Sequence, residues 1–147
     1  MRGTKDFRPM DMKAYLIDDR FWKNKMEVVR TKMIPYQWKA LNDLVEDAAP
    51  SHCVKNFRIA AGMEKGDFQG CVFQDSDLAK WLEAVGYTLA WKKDRELEQM
   101  ADEVIAVIEK AQQPDGYLDT YYIINGLEKR WTNLRDNHEL YCAGHMI

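Results

Sequence analysis

Ser76-Asp77-Leu78-Ala79-Lys80-Trp81-Leu82-Glu83-Ala84-Val85-Gly86-Tyr87-Thr88-Leu89-Ala90-Trp91 is the clearest helix in the sequence, and its continuation decides the fold class. Leu78, Trp81, Leu82, Val85 and Leu89 share one apolar face at helical spacing. Asp75 or Ser76 reads as the N-cap, and Asp77 stands in the first turn, where a negative charge complements the helix dipole. Lys92 and Lys93 follow at the C-terminal end, where the dipole prefers cations. Asp94 then caps a second helix almost at once. There Leu97, Ala101, Val104, Ile108 and Ala111 recur at alternating steps of four and three. So short a connection makes the two helices antiparallel neighbours.

Working outward, the same pattern recurs on both sides. Asp18 or Asp19 caps a helix carrying Phe21, Met26, Val29 and Met33. Pro35 interrupts it, either kinking one long helix or occupying the first turn of another with Trp38, Leu41 and Val45. Ala48-Ala49-Pro50 stops that segment. The connection from Ser51 to Gly70 has little period, with a short helical turn over Asn56–Gly62 closed by the glycine. A loop this long in a compact domain is often functional. After the central pair, Pro114-Asp115-Gly116 makes a turn, Tyr117–Tyr122 reads as extended, in the manner of a short strand, and 125–133 is a polar loop. The final segment begins with Asp136 or Asn137 as cap, places Glu139 in the first turn, and spaces Leu140, Ala143, Gly144 and Ile147 along one side. Nothing closes it, so the sequence is expected to be the N-terminal portion of a longer protein. Strand–helix alternation is absent, which argues against a parallel α/β sheet. The lengths do not repeat as a tetratricopeptide array would. The expected fold is all-α, a toroid of antiparallel helical hairpins whose long loops build a pocket. Residues 1–16 are an N-terminal arm and 17–147 the helical domain.

Composition excludes several classes. An apolar fraction of 46% and a charged fraction of 31% are those of a globular protein. A net charge of −3, with basic residues scattered among acidic ones, offers no footprint for nucleic acid or an anionic membrane. No apolar run approaches the roughly 20 residues of a membrane span, and Met1–Asp11 lacks the apolar centre of a signal peptide, so the cytoplasm is the expected location. Three widely spaced cysteines, Cys53, Cys71 and Cys142, make neither a disulfide framework nor a paired zinc motif.

His138, Cys142 and His145 fall at i, i+4 and i+7, on one face of the last helix. Imidazole and thiolate are zinc ligands, but this is not the short zinc-protease spacing, and a buried Cys beside a packed His explains it without metal. His138 alone is a candidate sugar contact, since a neutral imidazole donates one hydrogen bond and accepts another. Asp75, Asp77, Glu83, Asp115, Asp119 and Glu139 are candidates for acid–base work. Asp75 and Asp77 read first as caps and Asp115 as a turn residue, and spacing singles out no catalytic pair.

Five stretches carry a family resemblance: Ile34-Pro35-Tyr36-Gln37-Trp38; Gly70-Cys71-Val72-Phe73-Gln74-Asp75-Ser76-Asp77; Lys80-Trp81-Leu82-Glu83; Ala111-Gln112-Gln113-Pro114-Asp115-Gly116-Tyr117-Leu118-Asp119-Thr120; and His138-Glu139-Leu140-Tyr141 with Gly144-His145. In order, from about Ile17 to Ile147, they resemble the N-terminal part of glycoside hydrolase family 127, the β-L-arabinofuranosidases. The resemblance implies an incomplete (α/α)6 barrel, with only its first few helices present. It implies retaining hydrolysis of non-reducing terminal β-L-arabinofuranosyl groups on a glycan or oligosaccharide. It further implies a cysteine nucleophile, a glutamate acid/base, and a zinc held by cysteines and a glutamate, all downstream of this region. None of these roles falls on Cys53, Cys71 or Cys142, so no catalytic residue and no metal ligand is expected in these 147 residues. The family's sugar-contacting His corresponds to His138. A family glutamine that also touches sugar has no counterpart in the shorter Glu46–Ser51 connection. The alternatives are a related (α/α)-barrel hydrolase of other sugar specificity, or a non-catalytic helical binding module.

Overall fold

A computed structural model describes residues 8 and 10–147. The part of the expected arm over residues 1–7 and 9 lies outside them. After a 3-10 turn at Met12–Ala14 come α1 (Arg20–Val28), a π-helical turn (Val29–Met33), α2 (Ile34–Leu41), α3 (Cys53–Ala60), α4 (Asp75–Trp91), α5 (Arg95–Ala111), α6 (Thr120–Asn125), a 3-10 turn at Leu127–Lys129 and α7 (Glu139–Met146). Among the described residues there is no strand, and no helix is long and apolar enough to cross a membrane. The all-α expectation holds.

α4 is the hub. It packs against α2, α3, α5, α7 and the N-terminal 3-10 turn. Its predicted face is the observed one: Leu78, Trp81 and Val85 are buried, with Leu82 and Leu89 partly covered. On α5, Leu97, Ala101, Val104 and Ala111 are buried and Ile108 is partly so. Asp94 caps α5 as predicted, accepting from the Leu97 amide at 3.2 Å. Its other oxygen takes Arg30 Nη1 at 2.9 Å, which ties the start of α5 to the π turn. Asp19 caps α1 through the Trp22 amide at 2.9 Å.

The Pro35 region resolves both alternatives at once. The helix runs on through residue 35, but the turn before it widens to π geometry, with the Ile34 amide bonding the Val29 carbonyl five residues back. A proline ring clashes with the carbonyl four residues earlier and cannot donate to it. A π turn accommodates that misfit without ending the helix. Trp81 then donates its indole N–H to the Ile34 carbonyl at 3.2 Å and packs on Trp38 with ring centroids 4.5 Å apart. α2 is thereby fastened to α4.

Four local expectations are corrected. The 56–62 turn is a full helix, α3, beginning at Cys53, and it buries Cys53, Val54, Asn56 and Phe57. α2 stops at Leu41, so Val45 is not on it. Tyr117–Tyr122 is not a strand, because Asp119 caps α6 by accepting from the Tyr122 amide. The cap of α4 is Gln74, with no side-chain bond to the helix, and neither Asp75 nor Ser76.

Candidate functional site

The Gly70–Asp77 segment places the first wall of the site. Gly70 takes a φ of +89°, and a Cβ there would sit 2.1 Å from the Gln74 amide oxygen. That oxygen accepts the Cys71 amide at 2.7 Å, closing a tight turn that only glycine fits. Upstream, buried Asn56 imitates a backbone: its Nδ2 donates to the Gln69 carbonyl at 2.8 Å and its Oδ1 accepts the Gln69 amide at 3.2 Å. The turn so held presents Phe73, about two-fifths exposed, just ahead of α4.

The second wall is the start of α7. Its N-cap is His138, in the left-handed region at φ 56°, ψ 23°. Asp136 and Asn137, the predicted caps, do other work. Asp136 pairs with Arg135, and Asn137 Nδ2 donates to the Tyr122 hydroxyl at 2.8 Å. A left-handed non-glycine residue is uncommon and directs attention to a site. The exposed His138 ring meets Phe73 edge-to-face at 5.6 Å and Tyr141 at 6.0 Å; Tyr141 in turn meets His145 at 4.7 Å. Among the described residues no hydrogen bond is made to the His138 ring nitrogens, and the residue is exposed.

Beneath this surface lies a buried polar layer that holds α4, α6 and α7 together. Asp75 accepts both the amide and the hydroxyl of Thr120 at 2.6 Å each. Burial drives its pKa up to about 6, with the Thr120 bonds opposing. Asp119 is driven up to about 7 by burial and then by the Asp75 charge. Glu139 accepts the Tyr117 hydroxyl at 2.6 Å and the Trp131 amide at 2.8 Å, while burial and then the Glu139 bond push the Tyr117 phenol well above its usual range. These three acids are structural, bonded within the protein and shut off from solvent. Asp77 pairs with Lys80 and Asp115 with Arg130, and Glu83 bonds exposed Tyr87. The structure brings none of the six together as an exposed carboxylate pair.

The two buried thiols are equally occupied, while Cys71 is exposed. Cys53 Sγ donates to the Gln74 carbonyl at 3.0 Å, and burial raises its pKa well above the ordinary thiol value. Cys142 is buried over the Val72 carbonyl and pushed up to about 12, by burial first and the Asp75 charge second. A thiol so far from ionising does not serve as a nucleophile at neutral pH. Because Cys142 is buried while His138 and His145 stand exposed around Tyr141, the i, i+4, i+7 trio does not converge. Among the described residues no group of three or more His, Cys, Asp or Glu is placed to hold a metal.

Two features escaped the sequence reading. Lys80 reaches from α4 to the Tyr141 hydroxyl at 2.9 Å. A separate cavity of about 430 Å³ is walled by Tyr117, Trp131, Glu139 and Arg130, and neither His138 nor Phe73 lines it. The Lys80 position is one turn past Asp77 on the helix, but its partner lies 61 residues away, beyond any local signal.

Packed helical hairpins with an aromatic–imidazole face beside the starts of α4 and α7 define the class, an all-α domain. Residues 16–147 match the family model described as the β-L-arabinofuranosidase, GH127 catalytic domain, and the chain belongs to that family. It is 40% identical to a non-reducing end β-L-arabinofuranosidase of Bifidobacterium longum subsp. longum, across 89% of this chain and 22% of that protein. The fold superposes on the crystal structure of a GH127 β-L-arabinofuranosidase from Geobacillus stearothermophilus T6 with a TM-score of 0.87 and 63% identity, covering 89% of this chain and 21% of that one. A second GH127 β-arabinofuranosidase structure matches with a TM-score of 0.77 at 26% identity, covering 94% and 22%. The chain thus spans about a fifth of the length of the relatives it matches.

Proposed function

We propose that the protein carrying this chain is a glycoside hydrolase that removes non-reducing terminal β-L-arabinofuranosyl residues from a glycan with retention of configuration. We further propose that the 147 residues supply sugar recognition rather than bond cleavage. Membership of the GH127 family carries the reading, and the surface built on His138 agrees with it. A neutral imidazole offers one donor and one acceptor to a sugar hydroxyl. Phe73 and Tyr141 stand at its edges, where their apolar faces exclude water and fit the C–H side of a sugar ring.

The zinc implied by the family resemblance does not fit these residues. The buried thiols are held protonated and the trio on α7 is dispersed. We therefore place the zinc ligands, the cysteine nucleophile and the glutamate acid/base outside this chain. The complete protein should release 4-nitrophenol from 4-nitrophenyl β-L-arabinofuranoside, and the 147-residue chain alone should not. His138→Ala in the complete protein should raise KM about tenfold, the loss of roughly one hydrogen bond to a bound ligand. An unchanged KM would remove His138 from the site. A complete protein that binds the sugar but never cleaves it would favour a binding module.

A further inference from the structure

α7 is fastened on two sides. On one, the buried Glu139 carboxylate takes the Tyr117 hydroxyl and the Trp131 amide. On the other, where α7 packs on α4 through buried Cys142, one side chain of α4 adds a polar tie at the surface. Lys80 Nζ donates to the Tyr141 hydroxyl at 2.9 Å while also bonding Ser76 Oγ at 3.1 Å and Asp77 Oδ1 at 3.4 Å. The same ammonium lies 5.1 Å from the centre of the Tyr141 ring. Four contacts converge on one cation, and all its other partners belong to the first turn of α4. The Tyr141 ring, itself nearly half exposed, otherwise meets the His138 and His145 rings edge-to-face, while its hydroxyl is held by Lys80.

That ring is one of the two edges against which the His138 imidazole rests; Phe73 is the other. The His138 ring has no hydrogen bond among the described residues, so its orientation rests on the ring contacts with these two neighbours. Phe73 is held by the glycine turn before α4, and Tyr141 by Lys80. Both walls of the imidazole are thereby referred to the N-terminal end of the same helix.

We propose that Lys80 is a positioning residue for sugar recognition: by clamping the Tyr141 hydroxyl to the first turn of α4, it holds the ring that sets the orientation of His138. This inference rests on the reading of His138 as a sugar contact. The raised pKa of Lys80, caused first by the Tyr141 bond, keeps the clamp charged across the working pH range.

The test is a kinetic series in the complete protein with 4-nitrophenyl β-L-arabinofuranoside. Lys80→Met and Tyr141→Phe should each raise KM about five- to tenfold through misplacement of a contact group, with kcat within about twofold of the parent and the thermal midpoint unmoved. The Lys80→Met/Tyr141→Phe double variant should match either single one, because both remove the same bond. Lys80→Arg, which keeps a charged donor, should return KM to near the parent value. A parental KM in either single variant, or multiplicative effects in the double variant, overturns the proposal. His138→Ala separates the two readings. If it raises KM while Lys80→Met does not, His138 remains the sugar contact and the clamp falls. If Lys80→Met raises KM and His138→Ala does not, Lys80 acts on the sugar by another route, and the positioning role falls with the His138 assignment.

Discussion

Asp119 shows how far a residue can depart from its sequence role. Its Oδ1 caps α6 through the Tyr122 amide, while Oδ2 is buried with no partner among the described residues. Burial and the neighbouring Asp75 charge raise its pKa to about 7, against an ordinary value of 3.8. Below pH 4 the carboxyl is protonated in both folded and unfolded chains. As pH rises from 4 toward 7 the unfolded chain releases its proton first, so the folded state loses stability through that window and levels off above it. Asp75, raised to about 6, contributes in the same direction over the lower part of the window. The urea midpoint should therefore fall between pH 4 and pH 7.5. Asp119→Asn keeps the capping oxygen and removes the ionisation, and should flatten the slope between pH 6 and 7.5. An equal slope in the variant would show that other groups carry it.

At the scale of the helix, caps and ties matter more than propensity. Asp94 joins two functions that lie on different levels: it caps α5 locally and pairs with Arg30 across the fold. Asp94→Ala should lower stability by about 1–2 kcal/mol from the cap alone. The ion pair, whose side chains are a fifth to a quarter exposed, adds less than the cap, as pairs near the surface do. A double-mutant cycle with Arg30→Ala, followed by chemical denaturation, separates the two parts. A coupling energy above about 1 kcal/mol would mean the pair, not the cap, dominates. The π turn before Pro35 belongs to this scale as well. Proline excludes the regular i→i−4 bond, and the helix absorbs the defect by widening rather than stopping.

For the molecule as a whole, the core is centred on α4, and the flanking helices are incompletely covered. α1 buries none of its residues; Phe21, Trp22 and Val28 are exposed on it and Met33 on the turn that follows, as are Leu140 and Ile147 on and after α7. Exposed apolar surface of this kind drives association. The 147-residue chain by itself should enhance the fluorescence of 8-anilinonaphthalene-1-sulfonate and associate as its concentration rises above the micromolar range. A monomeric chain silent to the dye would mean that these side chains find cover among themselves.

The amino-acid sequence by itself determined the class of the fold, the α4–α5 hairpin with its buried faces, the Asp94 cap, an α1 cap at Asp18 or Asp19, and the family, because helical periodicity, capping chemistry and ordered motifs are local signals. It did not determine α3 or α6. Aromatic and polar residues there carry no clean period, and those helices form because Phe57 and Tyr122 are buried against neighbours supplied from elsewhere in the chain. Asp75 and Glu139 read as helix-end charges, which is what their positions permit locally. Their true partners, Thr120 and the Tyr117–Trp131 pair, lie 45 and 8–22 residues away. The same holds for His138: the motif named it, but Phe73 and the Lys80–Tyr141 clamp were set beside it only by the packing of α7 on α4, since a contact across 61 residues leaves no trace in local sequence.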